Sequence, residues 1–389
     1  MDLCFNCKLK LIIMKHSYYG LLLVGILLAF SSCIKDEAKN MEADIERVYF
    51  DSEDDVKLLA PPIITNTMVT LALPQGANKL IAPHFDLTPG AKITPASGTE
   101  LDFDTPQKYT VVSEDGKWSK EYTVMVSFDI KLKYDFEHVD RTLIYDKFYE
   151  VIYDNDEIVD KQYFWDSGNG GFVMVSQGKP REYYPTSAVD TIGHDGSRTQ
   201  VARLVTRSTG RLGSIVGKPI AAGNLFIGWF NSSEAMGDAL KATEFGYPIN
   251  KKPKAFKGWY RYVSGTKDHN GNVAFPPERP DSCSIYAVLY RSDDGSRLDG
   301  SNILTSDRVV AKAVFHSPAQ TLDGQWKQFE NNPGDGRIEF EYLVPVNDED
   351  LAAYKYNLAV VFSSSRDGAT FKGAIDSELL IDDVEIVVE

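Results

Sequence analysis

The sequence predicts a mainly β protein of two domains, and three observations carry that reading. Tight-turn dipeptides recur at Asp115-Gly116, Asp195-Gly196, Asn270-Gly271, Asp294-Gly295 and Asp367-Gly368, and such pairs supply the positive φ angles that two-residue hairpin turns require. Runs of β-branched and aromatic residues flank several of them, including Tyr122 to Phe128, Ser284 to Tyr290 and Leu358 to Phe362, a composition typical of strands. Only Ser233 to Ala242, behind a serine cap, and Asp348 to Tyr354, behind Asn347, carry helix signals. Both are too short to be crossover helices of a parallel sheet, which argues against a doubly wound α/β fold.

In chain order, the first element is an export signal. Met14, Lys15 and His16 lead into an apolar stretch from Leu21 to Phe30, followed by Ser31, Ser32 and Cys33. The stretch is shorter than the roughly 18 residues needed to span a bilayer, but it suits the core of a secretory signal. Met14-Lys15 opens a more ordinary signal than Met1, so the start is expected there. Cleavage before Cys33 would leave its thiol free to carry a diacylglycerol, making residues 1–32 a lipoprotein signal peptide and Cys33 the lipidation site. Two or three acyl chains anchor a protein durably where one does not, without any spanning segment. Residues 33–43 then read as a solvated tether. Its start, Ile34-Lys35-Asp36-Glu37, resembles the lysine-plus-acid export signal of Bacteroidetes surface lipoproteins. That resemblance implies an outer-membrane lipoprotein exposed at the cell surface.

Charge narrows the ligand class. Of the formal net charge of −15, the leader carries +2, from Lys8, Lys10 and Lys15 against Asp2, so the mature chain carries −17. Such a charge repels nucleic acid and anionic lipid and suits a neutral ligand. Cys4 and Cys7 leave with the leader and Cys33 is lipidated, so Cys283 alone remains and no internal disulfide is possible. A mature chain of about 357 residues exceeds the usual size of one compact core, which supports two domains.

The first domain spans 44–128. Its second half carries Ile93-Thr94-Pro95-Ala96-Ser97-Gly98, Phe103, Tyr109 to Val112, the turn at Asp115-Gly116, and Tyr122 to Val126. Tyr122, Val124, Val126 and Phe128 alternate against Thr123, Met125 and Ser127, as in a strand with one buried face. The segment resembles the small Ig-like β-sandwich that follows the anchor in many Bacteroidetes surface lipoproteins, which implies a spacer.

The second domain spans 129–389. Four ordered blocks stand out: Phe164-Trp165-Asp166-Ser167-Gly168-Asn169-Gly170-Gly171, Ala221 to Gly228, Lys257-Gly258-Trp259-Tyr260-Arg261-Tyr262, and Asp281-Ser282-Cys283-Ser284-Ile285-Tyr286. Together they resemble the domain called PCMD, the putative carbohydrate metabolism domain. The ending Leu380-Ile381-Asp382-Asp383-Val384-Glu385-Ile386 is similar to the last strand of jelly-roll carbohydrate-binding modules. The resemblance implies a jelly-roll β-sandwich larger than the first domain and a carbohydrate as substrate class.

Read physically, the blocks contain the residue types that hold sugars. Sugars offer C–H faces to aromatic rings and hydroxyls to polar groups, so a binding face sets Trp or Tyr beside Asn, Asp or Arg. Trp165, Asp166 and Asn169 supply that mixture on a glycine-rich loop, and Trp229, Trp259, Tyr260 and Arg261 supply it again. Large β domains also bury such rings routinely. Alternation sets Trp259 and Arg261 on one face and Tyr260 and Tyr262 on the other, so a one-sided core cannot take all three rings. The acidic candidates are Asp135-Phe136-Glu137 on the first strand and Asp382-Asp383 on the last. In jelly rolls these strands lie side by side, which would bring Glu137 and Asp383 together. Paired carboxylates suit calcium, and the resembling modules carry a structural calcium there; solvent-facing carboxylates are the alternative.

No nucleophile elbow, zinc-ligand histidine pair or phosphate loop appears. The sequence therefore favours a surface protein that binds polysaccharide or oligosaccharide, with outer-membrane glycan-uptake proteins as partners. A glycoside hydrolase using a carboxylate pair, and an adhesive surface protein without a sugar ligand, are the two rivals.

Overall fold

The computed structural model describes residues 39–389, apart from 52–55, 57, 59–61, 65, 74–76, 104, 128–129, 142–148, 155–162, 177–178, 232–233, 236, 294–295, 317–319, 322–323 and 353. The signal peptide, Cys33, most of the tether, the Asp294-Gly295 turn and the expected boundary at 128–129 lie outside the described residues.

The N-terminal part is a small β-sandwich. A five-stranded sheet runs Ile63–Ile64, Met68–Ala72, Ser119–Ser127, Gln107–Val112, Lys92–Thr94, and Ile45–Tyr49 pairs separately with His84–Leu87. Met68–Ala72 and Ser119–Ser127 run parallel; the other pairs in this sheet are antiparallel. Tyr122, Val124 and Val126 point into a core with Val69, Leu71, Tyr109 and Val111, as their alternation predicts. The turn is made at Gly116, at φ 70°, where Asp115 accepts hydrogen bonds from the Ser113 hydroxyl and the Lys117 amide.

The C-terminal part is a larger two-sheet sandwich. One sheet runs Thr186–Ile192, Arg198–Val205, Glu378–Val388, Pro253–Val263, Lys327–Gln328, with Lys133–Tyr134 joined to Glu378–Val388. First and last strands of the domain are therefore neighbours, as expected of a jelly roll. The other sheet is nine-stranded, and Asn224–Phe230, Tyr356–Ser363, Ser284–Arg291 and Val309–Val314 form its centre. Between the sheets pack Tyr260, Tyr262, Leu379 and Ile381 from one and Leu225, Ile285, Leu289 and Phe362 from the other. Phe226, Val288, Tyr290 and Val361 face the opposite way, into a second core with Phe245, Leu298 and Ile303. Ser284–Arg291 and Tyr356–Ser363 are thus buried on both faces. That is why their sequences read as unbroken apolar runs rather than alternating ones.

Helix is scarce. Asp348–Ala352 forms one short helix, with the Asp350 amide donating to Asn347 Oδ1 at 2.9 Å. The segment expected to be helical near 233–242 makes turns instead among its described residues. Gly237 weakens a helix there, and the Leu240 amide turns back to Asp238 Oδ1.

Where the strands end, the sandwich is tied by a buried polar network. Asp281, 6% exposed, accepts at Oδ2 from the Ser365 hydroxyl (2.6 Å), the Ser377 hydroxyl (2.8 Å) and the Ala374 amide (2.8 Å), and at Oδ1 from the Ser282 amide (2.9 Å). Thr206 links Ser364 and Ser365, and Ser364 accepts from the Gly223 amide. Cys283, two residues on, is fully buried in the main core.

Removing this acceptor leaves buried donors without partners, a cost of about 1–3 kcal/mol each. Asp281→Ala should lower the unfolding free energy by about 3 kcal/mol or more in a denaturant titration. A loss under about 1 kcal/mol would show that the hydroxyls find other acceptors.

Candidate functional site

The site is built on one kink. Pro253–Val263 pairs with Glu378–Val388 along its length, but the register shifts between Lys257, opposite Glu385, and Trp259, opposite Asp382. Gly258 fits there because a Cβ would meet the Phe329 ring at 2.4 Å. The longer side of the bulge carries Asp383 at φ 46°, and Phe136 on the adjoining segment sits at φ 56°. Bulges of this kind re-aim side chains. Here the extra residue lies on Glu378–Val388, so alternation along Pro253–Val263 is unbroken: Tyr260 and Tyr262 enter the core while Trp259 and Arg261 lie on the outer face, both partly exposed.

Over that face folds the hairpin between Thr186–Ile192 and Arg198–Val205. Its tip is closed by the Gly193 amide on the Ser197 carbonyl and by Asp195, which accepts from the Ser197 amide and hydroxyl. His194 leaves this tip and lies flat on Trp259, with ring centroids 4.2 Å apart and planes 4° from parallel. Its Nε2 is 2.6 Å from Asp383 Oδ2. Trp326, from the loop before Lys327–Gln328, donates its indole N–H to the Ile192 carbonyl at 2.8 Å. The Arg261 guanidinium stands 5.7 Å from the Trp326 ring, within cation–π range. Trp259, Arg261 and Trp326 therefore form a strip with the hairpin tip resting on it.

Three carboxyls lie near the strip: Asp382 is buried, while Glu137 and the Asp383 side chain reach solvent. Burial pushes Asp382 up to about 7, and the neighbouring Asp383 and Glu137 charges add to the rise while the Asp383 amide opposes it. Glu137 accepts from the Thr199 hydroxyl and, at 3.3 Å to each oxygen, from the Gln200 amide. The structure thus brings Glu137 and Asp383 to one end of the paired first and last strands. Each already holds a protein partner, however, and among the described residues no group of three or more His, Cys, Asp or Glu side chains is placed to hold a metal ion.

The remaining candidates scatter. Trp165 is not a surface ring: at 2% exposure it packs edge-on to Tyr134 at 4.9 Å and against Phe362 at 5.8 Å. Tyr260 is likewise inside, edge-on to Phe315 at 5.3 Å. Asn169 is wholly buried, and its amide copies a strand by donating to the Thr186 carbonyl and accepting from the Thr186 amide. Asp166 accepts from the Ser167 and Phe230 amides. Trp229 lies opposite Glu244 on the nine-stranded sheet, apart from Trp259. Of the seven residues proposed to bind sugar, Trp259 and Arg261 share one face. Two residues that the sequence reading missed, His194 and Trp326, complete it. The Asp195-Gly196 turn was a usable signal for His194, since it sets the preceding residue at a hairpin tip; Trp326 had none.

Comparison with known proteins agrees with this architecture. The family described as Putative carbohydrate metabolism domain matches residues 135–387, and the family described as SGBP, N-terminal, matches residues 48–126. The first match spans more than half of the chain, which therefore belongs to the putative carbohydrate metabolism domain family. A Bacteroides thetaiotaomicron crystal structure described as a putative glycoside hydrolase is 38% identical, covering 91% of this chain and 99% of its own, with a TM-score of 0.78. One from Bacteroides vulgatus with the same description is 36% identical, covering 67% and 99%, with a TM-score of 0.58. No curated protein matches. Among the described residues, no helix is long and apolar enough to cross a membrane.

The two tryptophans on which the sequence reading leaned should separate in a stability assay. Trp165→Ala should cost about 3–5 kcal/mol, as core ring deletions do. Trp259→Ala should cost about 1–2 kcal/mol, mostly the stacking with His194. Equal losses in urea titrations would mean that both rings belong to the core.

Proposed function

We propose that this member of the putative carbohydrate metabolism domain family is a lipid-anchored cell-surface protein that captures a poly- or oligosaccharide on the strip of Trp259, Arg261 and Trp326. The observation that carries the reading is the placement of two indoles and a guanidinium together on one partly exposed sheet face. Indole faces suit sugar C–H surfaces, and the Arg261 fork suits hydroxyl oxygens. The match of residues 48–126 to a family described as SGBP, N-terminal, supports placement at the surface beside glycan-uptake partners. Hydrolysis is the weaker reading, since Asp382 has the raised pKa of an acid catalyst but is only 3% exposed.

Anchoring is checked in cells: Cys33→Ala should move the protein from the membrane fraction to the soluble fraction. Retention in the membrane would end the lipoprotein reading.

Ligand capture is checked on a glycan array with product analysis. Trp326→Ala should lose about 1–3 kcal/mol of affinity, the usual cost of a binding hot-spot ring, with little change in melting. Binding that survives this change would move the site elsewhere. Products released from the array would favour the hydrolase.

A further inference from the structure

The hairpin tip sets a ring where a ligand ring would sit. The His194 imidazole lies parallel to Trp259 at 4.2 Å and reaches Asp383 through Nε2. A pyranose stacked on an indole would make the same two contacts, a flat face on the ring and a hydroxyl on the carboxylate. We infer that His194 is an internal stand-in for the ligand: the tip must lift before Trp259 can stack a sugar, and the sugar so admitted is neutral or amino rather than uronic or sulfated. The inference rests on the carbohydrate reading above and assigns the ligand class of that site.

Three features make the tip a movable unit. Asp195 and Ser197 hydrogen-bond to each other within the tip, so those bonds survive its displacement. Gly193, at the base of the tip, carries no side chain, which leaves the backbone there a glycine's conformational freedom. Its described ties to the sheet beneath are the His194–Asp383 pair, the His194–Trp259 stack and the Trp326 to Ile192 bond. The Asp383 side chain is 52% exposed, and a polar contact with so wet a partner holds weakly.

Charge sets the ligand class. With His194 displaced, Asp383 becomes an acceptor beside Asp382 and Glu137, whose charges already act on one another. Hydroxyl or ammonium donors satisfy that group, whereas a carboxylate or sulfate arriving there meets like charge. Arg261 stands 5.7 Å from the Trp326 ring and donates to the Gly324 carbonyl at 3.5 Å, keeping N–H donors for sugar hydroxyls, but at the Asp383 end of the strip its single charge is outweighed by three carboxyls.

The test compares wild type, His194→Ala, Trp259→Ala and the double variant on one array. The array carries neutral hexose and pentose oligosaccharides, chitosan oligomers and oligogalacturonides, and each protein's melting temperature is recorded. If His194 holds the site closed, its removal raises the competent fraction, and apparent affinity for neutral or amino glycans should tighten about three- to tenfold. The double variant should show no such gain over Trp259→Ala, and oligogalacturonides should stay unbound by every protein. Wild-type binding that weakens or is unchanged in His194→Ala, with melting intact, would overturn the stand-in role while leaving the carbohydrate reading standing. Preferential binding of oligogalacturonides would overturn the ligand class. Binding by neither wild type nor His194→Ala would remove both this inference and the carbohydrate reading.

Discussion

The buried carboxylate of Asp281 is the constraint on which the sandwich depends. Its partners come from three places: Ser282 beside it, Ser365 just after Tyr356–Ser363 in one sheet, and Ala374 and Ser377 just before Glu378–Val388 in the other. A carboxyl oxygen in a protein interior is tolerable only when donors surround it. Surrounding it therefore requires the end of one sheet to meet the beginning of the other. Glu378–Val388 then enters its sheet at a fixed register, which sets Asp382 opposite Trp259.

The outer face follows from that register and from one bulge. Without the shift at Gly258, Trp259 would keep the same parity as Lys257, but its partner on the last strand would differ and Asp383 would not be forced into a left-handed conformation. The same kink gathers Asp382, Asp383 and Glu137, a crowding of like charge that folding alone does not favour. Strained backbone and crowded carboxyls beside aromatic rings are what a binding face accumulates. The sheet beneath absorbs the strain through Tyr260, Tyr262, Leu379 and Ile381, all buried in the main core.

Much of the fold was legible because it is written in local patterns. Hairpin dipeptides placed Gly116, Gly196 and Gly271, all at positive φ. Period-two alternation correctly divided Trp259 and Arg261 from Tyr260 and Tyr262. The pairing of first and last strands followed from the jelly-roll resemblance. Legibility failed where a residue's role is set by tertiary neighbours. Trp165 and Asn169 have the chemistry of sugar contacts, yet the first fills the core and the second replaces missing strand pairing at Thr186. His194 and Asp383 are 189 positions apart and Trp326 and Ile192 are 134 apart, and no local pattern joins such pairs.

Cys283 has a consequence for where this chain can fold. It is the lone cysteine among the described residues, it is wholly buried, and burial pushes its thiol far above the usual range. A thiol held in its protonated form neither attacks disulfides nor oxidises readily. Among the described residues the fold therefore presents no cysteine to thiol–disulfide exchange, so the packing around Cys283 is independent of the thiol poise of its surroundings.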